Sequence, residues 1–326
     1  DTVLPLSPYL IHMAVQYSPK LCGYHLANGE PLIYINHVWE EEQLIVHHLK
    51  RLQRSTKQYC FTQASINEIE DNLQIKYNPG QRSAFELLRA GGVKILTGPP
   101  GSGKTAVIKG LIQYFEKNGN GSVSLAASTG MAAKVMSRAC NNQESKTVNL
   151  LVNVIPFQDS IRSKDLNDPV EADLIIVDEV SMIGVQLFSA LVKAIRNDAI
   201  LLLVGDENQL QSVEYGNVLH DLIGSGKVEV CRLTEILRQS GTICDNAKKI
   251  NTGQLQIQTD PSFQVFQCSD ADQVLYLLKQ HYHDERSQII TPIKKTSAGT
   301  IVLNTVFQKR QNQLLTIYGK KHFYQR

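Results

Sequence analysis

The densest chemistry in this 326-residue chain lies in the stretch GPPGSGKT. Gly98 is followed after four residues by Gly103, Lys104 and Thr105. Glycine has no Cβ, so backbone N–H groups can turn inward there and close on an anion. A helix beginning near Lys104 adds the positive end of its dipole. Gly98, Pro99, Pro100, Gly101, Ser102 and Gly103 thus form a candidate phosphate cradle. Lys104 reaches the outer phosphates, and the Thr105 hydroxyl is a ligand for Mg²⁺. A ligand-free glycine turn is the alternative. The apolar run Val93–Leu96 before the loop and the helical stretch after it supply the context the phosphate reading requires.

Other polar residues fall at the ends of apolar runs. DLIIVDEVSMI delivers Asp178 and Glu179. Beside a phosphate loop, Asp178 can hold Mg²⁺ and Glu179 can polarise an attacking water as general base. AILLLVGDENQL ends in Asp206, which can fix the turn, and Gln209, whose amide can report on a γ-phosphate; taken alone, the stretch reads first as a plain polar loop at a strand end. CRLTEILRQ carries Arg238, which can meet transition-state charge or be a plain surface charge. Ser128, Thr129 and Gly130 form a small-residue turn that a phosphodiester backbone can approach, with Thr147 and Asn149 as a second such place. A simple strand–helix cap is the alternative there.

The elements that position these residues alternate. Strands are expected at Val93–Leu96, Val123–Ala127, Leu174–Val177 and Ala199–Val204, with helical stretches between them. Such a chain is α/β, with a mostly parallel sheet covered on both faces and ligands at the carboxyl ends of its strands. Residues 1–73 are expected to form a small, mostly helical accessory domain. It includes a strand at Pro31–Ile35 and an amphipathic helix over Val38–Leu52 with Leu44, Ile45, His48 and Leu52 near one face. No third ligand accompanies His47 and His48, so a surface or core pair is expected. Residues 74–256 read as one lobe, with an irregular stretch over 151–172 in which Val152–Phe157 fits a hairpin strand. Phe263–Phe266, helical Ala271–His281, Gln288–Thr291 and helical Ala298–Asn312 read as the incomplete start of a second βαβ unit, 257–326.

Composition adds limits. A hydrophobic fraction of 42% and a charged fraction of 20% suit a soluble globular protein. The net charge of +2 says little about partners. From Arg286 onward every charged side chain is basic, a pattern that fits nucleic acid or a solvated face equally. The six scattered cysteines suggest neither a zinc site nor a disulfide framework, which fits a reducing, cytoplasmic compartment. The chain start lacks the look of a signal peptide, and no apolar run approaches a membrane span.

Gln81, GPPGSGKT, ASTGMAAK, DEVSM, GDENQLQSV, LTEILRQ and TPIKKTSAGTIVLN stand in one order. Taken together they resemble the RecD-like helicases of superfamily one, ATP-driven DNA motors. Pif-type helicases share the DE-x-S-M and G-D-x-x-Q-L patterns. The resemblance runs from about Leu32 to the chain end. It implies a RecA-like P-loop fold, ATP and Mg²⁺ as ligands, and a role in DNA repair or recombination. It implies that Gln81 reads the adenine edge, that Lys104 and Thr105 serve phosphates and Mg²⁺, and that Asp178 and Glu179 act as metal ligand and base. Gln209 and Arg238 would sense the γ-phosphate. Ser128, Thr129, Gly130, Thr147 and Asn149 would face single-stranded DNA, with 151–172 at a duplex-splitting hairpin. Movement from five-prime to three-prime on single strands and action at single-strand–duplex junctions are also implied.

The chain departs from the pattern at Ser128 (usually Pro), Met131 (Arg), Asn149 (His) and Gln211 (Pro). The family's later motifs are absent. The resemblance therefore implies an N-terminal portion, with the rest of a second lobe expected beyond Arg326, that binds ATP but hydrolyses it poorly. A degenerate lobe that switches DNA or scaffold partners without unwinding is the alternative reading. Protein partners are not legible.

Overall fold

The computed structural model describes residues 17–25, 31–59, 62–117, 121–154, 163–235, 241–282, 287–308, 314–318 and 321–324. They fall into two compact units, Asp1–Ser240 and Gly241–Arg326. The first unit opens with an antiparallel hairpin, β1 (Leu21–His25) and β2 (Pro31–Ile35), then helices α1 (Asn36–Leu52), α2 (Gln63–Leu73) and α3 (Pro79–Ser83). A doubly covered sheet follows: β3 (Gly92–Thr97), α4 (Lys104–Lys117), β4 (Val123–Ala127), α5 (Gly130–Ala139), β5 (Ser145–Thr147), α6 (Val148–Leu151), β6 (Leu174–Asp178), α7 (Val185–Ala194), β7 (Ile200–Gly205), α8 (Val218–Gly224) and β8 (Glu229–Arg232).

The strands lie in the order β5-β4-β6-β7-β3-β8, all parallel. The four strands expected from sequence are β3, β4, β6 and β7, each within a residue or so of its expected ends. The chain leaves β3 and returns as β4 on the far side of β6 and β7. The crevice at the carboxyl ends therefore opens where the connections diverge.

Strand alternation sorts the apolar side chains onto two faces. Ile175, Val177, Leu201 and Leu203 meet α1, α7 and α8 on one side. Leu174, Ile176, Leu202 and Val204 meet α2 and α4 on the other. The helices before the sheet are thus built into both of its layers, and the expected boundary at 73/74 runs through the first unit. In α1, Ile45, His48 and Leu52 are buried, whereas Leu44 is 41% exposed, turned about a quarter-circle off the buried stripe. His48 is a core histidine. Burial first, then the Arg51 charge, lowers its pKa to about 4, and its neutral Nδ1 accepts from Arg51 Nε at 3.2 Å. The Arg51 guanidinium also donates to the Val192 and Ile195 carbonyls, at 2.9 and 2.8 Å, closing the open end of α7.

Val152–Val154 is not a strand, and the rest of the expected hairpin strand lies in 155–162, outside the described residues. Around Asn167-Asp168-Pro169 the expected turn forms, with Asp165 Oδ1 accepting from the Asn167 and Asp168 amides at 2.8 and 3.2 Å.

The second unit contains α9 (Thr242–Asn251), α10 (Ala271–His281), α11 (Thr300–Gln308) and the hairpin β9 (Leu314–Tyr318) and β10 (Lys321–Tyr324). Asn246, fully buried, grips the Gln258 backbone, donating to its carbonyl at 2.6 Å and accepting from its N–H at 2.9 Å. Neither Phe263–Phe266 nor Gln288–Thr291 is a strand. Val265 and Ile290 are 60% and 86% exposed, and no neighbouring strand among the described residues offers a ladder to pair with.

Candidate functional site: a phosphate loop flanked by two carboxylates

The loop between β3 and α4 takes the shape its glycines allow. Gly101 and Gly103 have φ of 81° and 88°, which the absence of Cβ makes cheap. A Cβ on Gly98 would lie 2.6 Å from the Leu233 carbonyl oxygen and 2.9 Å from Ser102 Oγ, so this position admits only glycine without rearrangement. Gly98 N–H donates to the Gly205 carbonyl and Leu233 N–H to the Thr97 carbonyl, locking the loop's base to β7 and β8. The Lys104 ammonium folds into the loop and donates to the Gly98 and Pro99 carbonyls at 2.6 and 3.2 Å. Ser102 Oγ is buried without a hydrogen-bond partner. Inward glycines, an ammonium held inside and an unpartnered hydroxyl together fit a polyphosphate.

Asp178 ends β6, one strand from β3 across β7. Its Oδ1 accepts from the Glu179 N–H at 2.9 Å. Glu179 sits at φ 55°, a left-handed conformation uncommon for a non-glycine residue. Burial raises the pKa of Asp178, against the Glu179 N–H and the Lys104 charge. Burial and then the Asp178 charge raise that of Glu179, against Lys104, with Asp206 adding to the rise. One ammonium and three carboxylates thus share one electrostatic neighbourhood. Thr105 is exposed at the first turn of α4; its hydroxyl and the Asp178 carboxylate are oxygen donors of the type that a Mg²⁺ keeping most of its waters takes. No cluster of three or more His, Cys, Asp or Glu suited to a metal occurs among the described residues.

Gln81 lies against the phosphate loop. It is buried, its Nε2 donates to the Ser102 carbonyl at 3.0 Å and its Oε1 accepts from Asn78 N–H at 3.1 Å. Each end of the amide keeps one further position, a second N–H and a second lone pair, for another partner. Asn78 Oδ1 accepts in turn from Gln81 N–H, a capping box that starts α3. Gln209 is exposed, and its N–H donates to the Asp206 carbonyl at 3.2 Å. Arg238 lies outside the described residues.

The two candidate backbone-contact turns are one place. Thr129 and Thr147 cap α5 and α6, accepting from Ala132 N–H and Leu150 N–H. A Cβ on Gly130 would meet only Thr147 Cγ2, at 4.0 Å. Asn149 is half-buried in the α6 turn. Ser128 N–H donates to the Asp178 carbonyl at 3.2 Å, which ties this strip to the acidic strand end, and Ser128 Oγ is buried without a partner. Exposed Met131, Val135 and Leu150 border the strip.

Residues 76–267, more than half of the chain, match the family model described as AAA domain. The chain belongs to that family. Its curated relatives include RecD proteins. The RecBCD enzyme subunit RecD of Mycobacterium tuberculosis is 30% identical over 251 residues, covering 70% of this chain and 42% of that protein. The ATP-dependent RecD2 DNA helicase of Deinococcus radiodurans is 29% identical over 298 residues, covering 88% of this chain and 40% of that protein. The chain thus spans about two fifths of the length of the curated relatives it matches. Among solved structures, the Pif1 helicase of Candida albicans overlaps with a TM-score of 0.41 at 18% identity, covering 60% of this chain and 50% of that one. This RecD-like member of the AAA domain family has the RecA-like P-loop fold that its motifs imply.

Sequence reading did not reach Asp206, which is 3% exposed, as a charge acting on Glu179, nor Ser181, whose Oγ is buried without a partner beside the acidic pair. A buried carboxylate at a third strand end leaves a signal, polar residues after an apolar run, but that signal does not separate turn from site.

Proposed function

We propose that this chain is the ATP-binding lobe of a motor that moves along single-stranded DNA and opens duplex at junctions, with five-prime to three-prime polarity. The observation that carries the reading is the convergence of Lys104, Asp178 and Glu179 at the carboxyl edge of the sheet, where the charges act on one another, with the Ser128–Gly130 and Thr147–Asn149 strip joined to Asp178. The loop amides and Lys104 would hold the β- and γ-phosphates. Thr105 and Asp178 would hold Mg²⁺, which supplies charge neutralisation on the phosphates. Glu179 would take a proton from the attacking water. The helix N-termini, capping hydroxyls and Gly130 would follow a phosphodiester backbone without reading bases. Ser128 N–H on the Asp178 carbonyl gives the DNA strip a direct link to the metal-binding strand end.

Turnover by this chain alone is expected to be slow. Thr105 and Gln209 are exposed, so water reaches the γ-phosphate side and screens the charges that stabilise the transition state. Titration with a fluorescent ATP analogue and steady-state hydrolysis with and without single-stranded DNA test both parts. Absence of binding sinks the nucleotide reading; brisk DNA-stimulated hydrolysis sinks the slow-turnover part. Displacement of five-prime-tailed but not three-prime-tailed duplexes by the protein that carries this lobe tests the polarity, and no displacement of either favours the non-unwinding alternative.

A further inference from the structure

The helix α2 carries none of the nucleotide motifs, yet among the described residues its Glu70 is the most heavily engaged buried carboxylate outside the site. The Glu70 side chain has no solvent exposure. Oε1 accepts from the Tyr77 N–H at 3.0 Å; Oε2 accepts from Arg82 at 2.6 Å and from Lys76 at 3.1 Å. Only an ionised carboxylate offers acceptors in both directions, because a carboxamide would turn a donor toward one side. These hydrogen bonds hold Glu70's pKa low, against its burial.

What Glu70 grips is the turn that touches the phosphate loop. Between Tyr77 and Arg82 lie Asn78 and Gln81, and Gln81 Nε2 donates to the Ser102 carbonyl. Tyr77 OH donates to the Ala106 carbonyl, at 2.9 Å, in the first turn of α4. A Cβ on Gly110 would lie 2.2 Å from that phenol oxygen, so the ring rests directly on the α4 backbone. Asn78 Nδ2 donates to Glu235 at 2.9 Å, in the segment that leads toward Arg238.

We propose that Glu70 is a positioning residue for the phosphate loop: its carboxylate fixes the Tyr77–Arg82 turn, which fixes Ser102 through Gln81 and the start of α4 through Tyr77. The consequence for nucleotide affinity rests on the ATP reading above; the consequence for the loop does not. A helix that precedes the lobe's motifs thereby sets the geometry of its anion site.

The test compares Glu70→Gln with Lys117→Ala. The second variant breaks the Lys117–Glu68 pair, which joins α2 to α4 without touching the turn. Two readouts are taken on folded protein: amide hydrogen exchange without nucleotide, and the Kd of a fluorescent ATP analogue. In Glu70→Gln, exchange across 98–105 is expected to speed up about tenfold with β6 and β7 unchanged, and Kd to rise about tenfold, the scale of one lost charge-assisted hydrogen bond. Lys117→Ala is expected to leave both unmoved. Should Glu70→Gln not fold, Arg82→Ala cuts the same link from its partly exposed side, with the same expected pattern. Unchanged exchange at 98–105 overturns the inference, as does an equal change in Lys117→Ala, which would make the effect one of helix docking. Loop loosening in a protein that binds no ATP analogue supports the positioning link and counts only against the nucleotide reading.

Discussion

Lys104 and Glu179 carry opposite demands, and each gives a separable prediction. In Lys104→Ala the loop loses the ammonium that now rests on the Gly98 and Pro99 carbonyls. ATP-analogue affinity should fall by about a hundredfold, the scale of losing a well-placed charge in a partly dry site, with thermal stability nearly unchanged; calorimetric titration measures the first and thermal denaturation the second. Glu179→Gln should bind ATP as tightly as the wild type and hydrolyse it at a small fraction of the rate. The pH profile follows from the raised pKa of both acids. The base acts only when deprotonated, so hydrolysis should fall on acidification at a pH above that of an ordinary carboxylate. The midpoint belongs to the Asp178–Glu179 pair rather than to either residue. An unshifted midpoint, with binding constant across the range, would remove Glu179 from the role of base.

At the scale of elements, the strand tips were legible because their code is local. An apolar run buried on both faces, followed by polar residues, marks β3, β4, β6 and β7 in any context. β5 and β8 were not legible: SKT and EVCR span 3 and 4 residues, too short for a pattern, and become strands only because β4 and β3 offer them edges. The reverse holds for Phe263–Phe266 and Gln288–Thr291, which have apolar residues but no partner edge among the described residues. Gln81 was legible as a helix start, whereas its commitment to Ser102 spans 21 residues and leaves no local trace. The docking of α1 is also long-range. Arg51→Ala should cost about 2 kcal/mol in denaturant unfolding, since it strips donors from the end of α7 and from His48. An unchanged midpoint would mean that water caps α7 equally well.

Across the whole molecule, acid should weaken the fold through identifiable carboxylates. Asp173, at the foot of β6, accepts from Ser122 N–H at 2.9 Å and pairs with Arg196 at 2.7 Å and Lys57 at 3.5 Å. Although burial acts against it, these partners lower its pKa below the ordinary value of 3.8. A depressed carboxylate contributes stability that is present above its unfolded pKa and is lost as pH falls through the folded one. Asp173→Asn should therefore lower stability at neutral pH and flatten its acid dependence, as followed by denaturation at several pH values. In the second unit, bonds from Ser262 and Thr242 hold Asp260 at about 2, so its share is lost between about pH 4 and 2. What remained illegible at this scale was ownership. Nothing in 36–73 marks those helices as layers of a sheet whose strands come later in the chain.

That two-sided embedding of α1 and α2 bears on how the protein is made. The carbonyls that Arg51 meets at Val192 and Ile195 lie 141 and 144 residues downstream. At about 5–20 residues per second, a ribosome takes about 7–30 s to deliver them after Arg51 emerges. Through that interval the face that α1 turns toward α7 waits for its partner, and the docking of α1 is completed only after β3, β4 and β6 have been delivered.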